Sequence, residues 1–161
     1  MKKREIKSAQ KSKLSKLDSL ISALSVFFEE KARGYNIDMA FLYGSWARGH
    51  PIKESDVDLA VLFFPELTSD YEVFEIITDI SFELSIKINR EVNTIPLYED
   101  FRRPMLYYNA IVLGIPLYFR EFERYVVLKN QAIAQMEDFN LFGTRWQLEI
   151  ARKNLEVLQH V

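Results

Sequence analysis

Two apolar runs of strand length, joined by a short polar segment, constrain this chain more than any other feature. Met39-Ala40-Phe41-Leu42-Tyr43 stops at Gly44-Ser45; after residues 46–55 come Asp56-Val57-Asp58, and Leu59 to Phe64 continues directly from them. Runs of this kind, punctuated by glycine and a polar loop, predict two neighbouring strands. Gly44 and Ser45 then close the first strand, and the aspartates open the second. Strand side chains alternate, so Asp56 and Asp58 share one face while Val57 takes the other. Two carboxylates side by side repel each other unless a cation lies between them. The pair therefore has the chemistry of a divalent-metal seat. At Gly44 the backbone can approach an anion closely, and the Ser45 hydroxyl and following amides can donate to phosphate oxygens. Arg48 can add a charge-assisted contact to the same anion. Lys53 is a weaker candidate of the same kind. His50, ahead of Pro51, reads as a loop residue, with no second histidine, cysteine or close acid to build zinc coordination.

Gly44-Ser45, the ten-residue spacer and Asp56-x-Asp58, with Arg48, Gly49, Ser55 and Leu59 around them, resemble the DNA polymerase beta-like nucleotidyltransferase superfamily. Within it the chain looks most like the stand-alone minimal nucleotidyltransferases (MNT) of the MntA-like antitoxin type. The resemblance is close from Phe41 to Val61 and looser to about Tyr118. It implies an α/β (α+β) fold, a small mixed β-sheet with helices on one face, extended by helices at both termini. It also implies Mg²⁺-dependent transfer of a nucleoside monophosphate, AMP from ATP being expected, to a hydroxyl of a protein or other acceptor. Asp56 and Asp58 would be the catalytic and metal-binding residues, and Gly44, Ser45 and Arg48 would bind the nucleotide. Such proteins are often encoded beside an all-helical HEPN-type protein, commonly an RNase toxin. They act as its antitoxin by binding it or by adding AMP to it.

Catalytic members of that superfamily carry a third acid on a later strand. The matching strand here is Glu91 to Leu97, and alignment on its apolar residues and Pro96 puts Asn93 in the acidic place. Asparagine can ligate a metal through its carbonyl oxygen, but it brings no charge and cannot act as a base. Glu91, two residues earlier, shares the face; its plainer reading is a solvated strand start. Two functions follow, an active nucleotidyltransferase or a catalytically weak or inactive nucleotide-binding subunit that acts by occupying a helical partner. Asn93 favours the second. The retained aspartates favour the first, because a protein freed from metal binding has little reason to keep adjacent repelling carboxylates, and the first is preferred.

Composition bounds the rest. With 161 residues, 48% of them hydrophobic, and only five Gly and five Pro, the chain has the makings of a packed core and not of a disordered one. Zero cysteines exclude disulfides and thiolate metal sites. No apolar run reaches membrane-spanning length and the start is too polar for a signal peptide, so a cytoplasmic protein without a membrane partner is expected. Lys2, Lys3, Arg4, Lys7, Lys11, Lys13 and Lys16 crowd the first sixteen residues against Glu5. Nucleic acid is nevertheless not expected, since such clusters are more often solvated helix ends. Homo-oligomerisation is compatible with the sequence.

Periodicity predicts a helix over 5–33 with an apolar stripe of Leu14, Leu17, Ile21, Leu24 and Phe28, stopped at Gly34. Pro65 closes the second strand. A helix over 71–88, capped by Ser69 or Asp70, buries Phe74, Ile77, Ile80 and Leu84. A helix near 101–113 ends at Gly114, and Ile115 to Phe119 forms an edge strand that tolerates Pro116. The last forty residues read as helical. Phe122, Tyr125, Val126, Ile133 and Met136 mark one face, Trp146, Ile150 and 155–158 another, with a break near Gly143 and either the core or a protein partner as cover. The expected division is an N-terminal helix at 1–34, a nucleotidyltransferase core at 35–120 and a helical extension at 121–161.

Overall fold

The computed structural model describes residues 2–52, 55–64 and 69–159, with side chains described between residues 15 and 152 of those ranges. Lys53 and Pro65, and the side chains of Leu14, of the first six basic residues and of 155–158, lie outside that description. Four strands form one mixed sheet: β1 (Ile37–Tyr43), β2 (Val57–Phe63), β3 (Val92–Leu97) and β4 (Ile115–Phe119), in the order β3-β2-β1-β4. β1 runs antiparallel to both β2 and β4, whereas β2 and β3 are parallel and joined through a helix. Pro96 and Pro116 both fall on edge strands, where a missing backbone donor is tolerated.

The alternation of β1 and β2 sorts their side chains into two cores. Ile37, Ala40 and Leu42 of β1, with Val57, Leu59, Val61 and Phe63 of β2, pack beneath α1 (Lys2–Lys31) and α3 (Asp70–Ile88). Met39, Phe41, Ala60 and Leu62 face the other way. There they meet α4 (Pro104–Tyr107), a π-helical turn at Tyr108–Val112, and Leu128 and Ala132 of α5 (Phe122–Gln159). The expected one-sided layer is the α1–α3 side; the C-terminal extension supplies a second. Asp38 is the extra residue in this pattern. The ladder passes from Ile37↔Phe63 to Met39↔Leu62, leaving Asp38 as a bulge without a partner on β2.

α3 shows why a helix forms where it does. Asp70 and Glu72 sit in its first turn and Lys87 in its last, each complementing the helix dipole. Asn89 closes it in the left-handed conformation at φ 51°, its N–H donating to Ser85 O. Val73, Ile80 and Leu84 are buried, each stabilising the layer by roughly 1.5–3 kcal/mol. Ser69 is the N-cap by position, without a side-chain cap bond. Phe74, expected in that buried face, is instead 62% exposed, because Val73, one position round the helix, points at the sheet.

Two further expectations are corrected. The helix over 101–113 is shorter and wider, four α-helical residues followed by the π turn, in which Leu113 N–H reaches back to Tyr108 O. α5 runs unbroken through Gly143, and among its described side chains Leu128 and Ala132 are buried, while Phe122 and Val126 stay exposed.

Candidate functional site

Gly44 opens a single helical turn, α2 (Gly44–Ala47), immediately after β1. Its φ of 73° lies in the left-handed region that glycine adopts without strain. Space demands glycine as well. A Cβ there would collide with the Asp58 carboxylate and lie 3.1 Å from its Cγ. The turn and the carboxylate are thus in contact, because Tyr43 and Asp58 are partners in the β1–β2 ladder.

Asp58 takes the face opposite Val57 and Leu59, which are both buried under α1 and α3. It is half-buried, and its carboxyl is pushed above the ordinary range, first by burial and then by the negative charge of Asp56. Tyr43 beside it is pushed up by burial and by Asp58, so its hydroxyl keeps its proton at neutral pH and is no base. Asp56 precedes β2 and accepts a 3.5 Å contact from Asn93 Nδ2. Asn93 is also the parallel-ladder partner of Asp58. The three side chains therefore meet at the head of β2.

Glu91 lies just ahead of β3 and is exposed, its carbonyl accepting from Val57 N–H at 2.9 Å. Among the described residues, no three acids or histidines gather closely enough to hold a metal ion. Two carboxylates and one amide are what the site offers. All three supply hard oxygen atoms, the donors Mg²⁺ accepts when substrate phosphates complete its shell. The residues fit that ion, provided the Asn93 amide turns its oxygen inward.

Ser45 follows in the turn, its carbonyl accepting from His50 N–H at 3.0 Å. Trp46 is buried, and its indole Nε1 donates to Ser55 O at 3.2 Å, tying the turn to the loop that delivers Asp56. Ser55 Oγ accepts from Ile52 N–H at 2.8 Å and shapes the same loop. Arg48 is exposed, and its Nη2 donates to Asn109 Oδ1 at 2.7 Å. Asn109 sits in the π turn and donates its own amide to Met105 O at 2.8 Å. Trp46, Ser55 and Asn109 carried no assigned role in the sequence. Nothing local marks Asn109, because its partner is 61 residues away.

A family model described as polymerase beta, nucleotidyltransferase, matches residues 26–123, more than half of the chain. No curated protein sequence matches significantly. Among solved structures, a chain of a toxin–antitoxin crystal structure with AMP-PNP superposes with a TM-score of 0.60 at 13% identity, covering 79% of this chain and 98% of its own. The complex of a tri-AMPylated Shewanella oneidensis HEPN toxin with its MNT antitoxin gives 0.58 at 12% identity, covering 81% and 98%. The MntA–HepT toxin–antitoxin structure gives 0.56 at 12% identity, covering 80% and 97%. At these identities the likeness speaks for the fold, while the family match extends over the sheet and its glycine turn. Because that match spans residues 26–123, the chain is a member of the polymerase beta nucleotidyltransferase family.

Proposed function

We propose that this protein binds a nucleoside triphosphate with Mg²⁺ and transfers the nucleoside monophosphate, AMP from ATP, to a hydroxyl on a helical protein partner of the HEPN type. The observation that carries this reading is the contact between Gly44 and the Asp58 carboxylate, with Asp56 alongside. That contact sets the glycine turn directly against the paired carboxylates, which supports a phosphate site beside a metal seat. Similarity to toxin–antitoxin structures with AMP-PNP and with an AMPylated HEPN toxin supports both the nucleotide and the partner.

Asp56, Asp58 and the carbonyl oxygen of Asn93 would hold Mg²⁺, which supplies charge neutralisation on the phosphate oxygens. The Gly44 turn and Ser45 orient the triphosphate, and Arg48 adds positive charge from the Asn109 side. The acceptor oxygen bonds to the α-phosphorus, the bond from that phosphorus to the bridging oxygen breaks, and pyrophosphate leaves. The hydroxyl proton passes to Asp56 or to water, because Asn93 cannot take it. Asn93 therefore makes this a slow transferase. It also supports a second reading, in which the nucleotide pocket is kept and the protein neutralises its partner by binding alone.

Incorporation of label from α-labelled ATP into a HEPN-type partner tests the proposal. Slow, Mg²⁺-dependent incorporation is expected from the wild type and, as a neutral ligand becomes an acid, about tenfold or more from Asn93→Asp. A silent wild type and an equally silent Asn93→Asp would move the assignment to the binding subunit. Efficient transfer abolished by Glu91→Gln would make Glu91 the third acid.

A further inference from the structure

On the opposite side of the sheet from Asp58, a cavity of about 530 Å³ opens between α1, α3 and the buried indole of Trp46. We infer that this cavity is a second anion site, separate from the aspartates, that takes a small ligand bearing a polyphosphate group. Its volume is that of a small-molecule pocket. Lys16 of α1, Lys87 of α3 and Arg90, just past the end of α3, converge on it, and none of its described lining residues is acidic. The hydroxyls of Ser15 and Ser19 add neutral donors at the α1 wall. Cations and hydroxyl donors without a carboxylate suit phosphate oxygens, which only accept.

Glu83 of α3, one turn before Lys87, is bound by Lys31 Nζ at 3.1 Å and by the Tyr35 hydroxyl at 3.0 Å, and feels the Lys87 charge more weakly. Arg90 already lies with its guanidinium 5.0 Å from the Trp46 ring centroid, so the indole forms part of the floor beneath the cations. Together these three cations give the mouth a positive field that draws in multiply charged anions. The two faces separate this cavity from the nucleotide site: Trp46 and Leu20 belong to the core under α1 and α3, whereas Asp58 projects from the other side.

The full chain carries only two tryptophans, so Trp146→Phe leaves Trp46 as the sole fluorophore. Tripolyphosphate titrated into that protein in excess chelator, which leaves no divalent ion for the aspartates, is expected to change Trp46 emission saturably. Calorimetry should return the same affinity. Lys16→Ala and Lys87→Gln, both at exposed positions, should each weaken it about tenfold, the worth of one charge-assisted contact. Asp56→Ala with Asp58→Ala should leave it intact, which distinguishes this site from the proposed nucleotide site. Parallel titration with ADP separates a nucleotide-borne polyphosphate from the inorganic ion. Absence of saturable binding by both probes would overturn the inference. So would binding that survives both lysine substitutions, or binding confined to an RNA oligonucleotide.

Discussion

The two ends of β1 handle a carboxylate in opposite ways. At its start Asp38 is fully buried, and its Oδ2 accepts from Arg124 of α5 at 3.0 Å from Nε and 2.8 Å from Nη2. Arg124 in turn reaches Glu99 at 2.7 Å. At the other end Asp58, the partner of Tyr43, is half-buried and feels the charge of another acid, Asp56. One carboxylate has its counter-charge built into the fold; the other has been left next to a like charge. The first arrangement locks an added helix to the sheet. The second leaves two like charges side by side, the arrangement on which the proposed metal site rests.

The contrast breaks most visibly under exchange of outcomes. Asp56→Ala with Asp58→Ala should abolish Mg²⁺-dependent binding of ATP in calorimetry, a loss of about 100-fold or more, while the thermal midpoint holds or rises because repulsion is removed. Equal binding by wild type and variant would mean the metal sits elsewhere. Arg124→Leu should do the reverse. It strands the buried Asp38 charge, which costs about 3–5 kcal/mol for a fully buried pair. Arg124 keeps partial solvent contact, so about 2–3 kcal/mol in chemical denaturation is expected, with ATP affinity unchanged in the folded protein. A stability change under ~0.5 kcal/mol would show that α5 holds on without this pair.

The smallest effect sharpens the comparison through pH. The Asp58 carboxyl is raised in the folded protein by burial and by Asp56. A raised value means the folded state holds that proton more tightly, so the associated stability is present below the ordinary carboxylate range and is lost as pH climbs through the raised value. Without divalent ions, Asp58→Asn should therefore melt slightly higher than wild type at pH 7, and the gap should close on acidification. Added Mg²⁺ should stabilise the wild type alone. A variant that melts lower at pH 7 in chelator would imply that Asp58 has a cationic partner within the protein.

What the sequence disclosed follows from the range of the forces involved. β1, β2 and the glycine turn were legible because alternation, a glycine requirement and an acid pair are local signals spread over some twenty positions. Asn93 was legible as a neighbour of the aspartates because apolar pattern and Pro96 fix the register of an edge strand, which pairs it with Asp58. Phe74 misled because Val73 and Phe74 are both apolar and a helix can turn either inward. Gly143 misled because one glycine costs a helix only about 1 kcal/mol, too little to end it. Asp38 gave no signal at all: its partner is 86 residues away, and a lone acid in an apolar run announces neither a bulge nor an ion pair. That α5 would fold back on the core was one of the two covers its apolar faces suggested, but the sheet face it takes was hidden, since α5 finds the sheet only through tertiary contact.

α5 itself has a further consequence. At 38 residues and about 1.5 Å per residue it is about 57 Å long. Its inner turns are anchored by Leu128 and Ala132, yet Phe142 and Trp146 beyond them are 75% and 59% exposed. Starting a helix in water is the unfavourable step, whereas lengthening one costs almost nothing per residue. The docked turns act as a permanent seed from which the outer turns propagate without a new initiation event. Amide exchange should accordingly accelerate smoothly toward the outer end instead of stepping at Gly143, and any partner that grips the outer turns meets a helix whose ordering cost has already been met near the sheet.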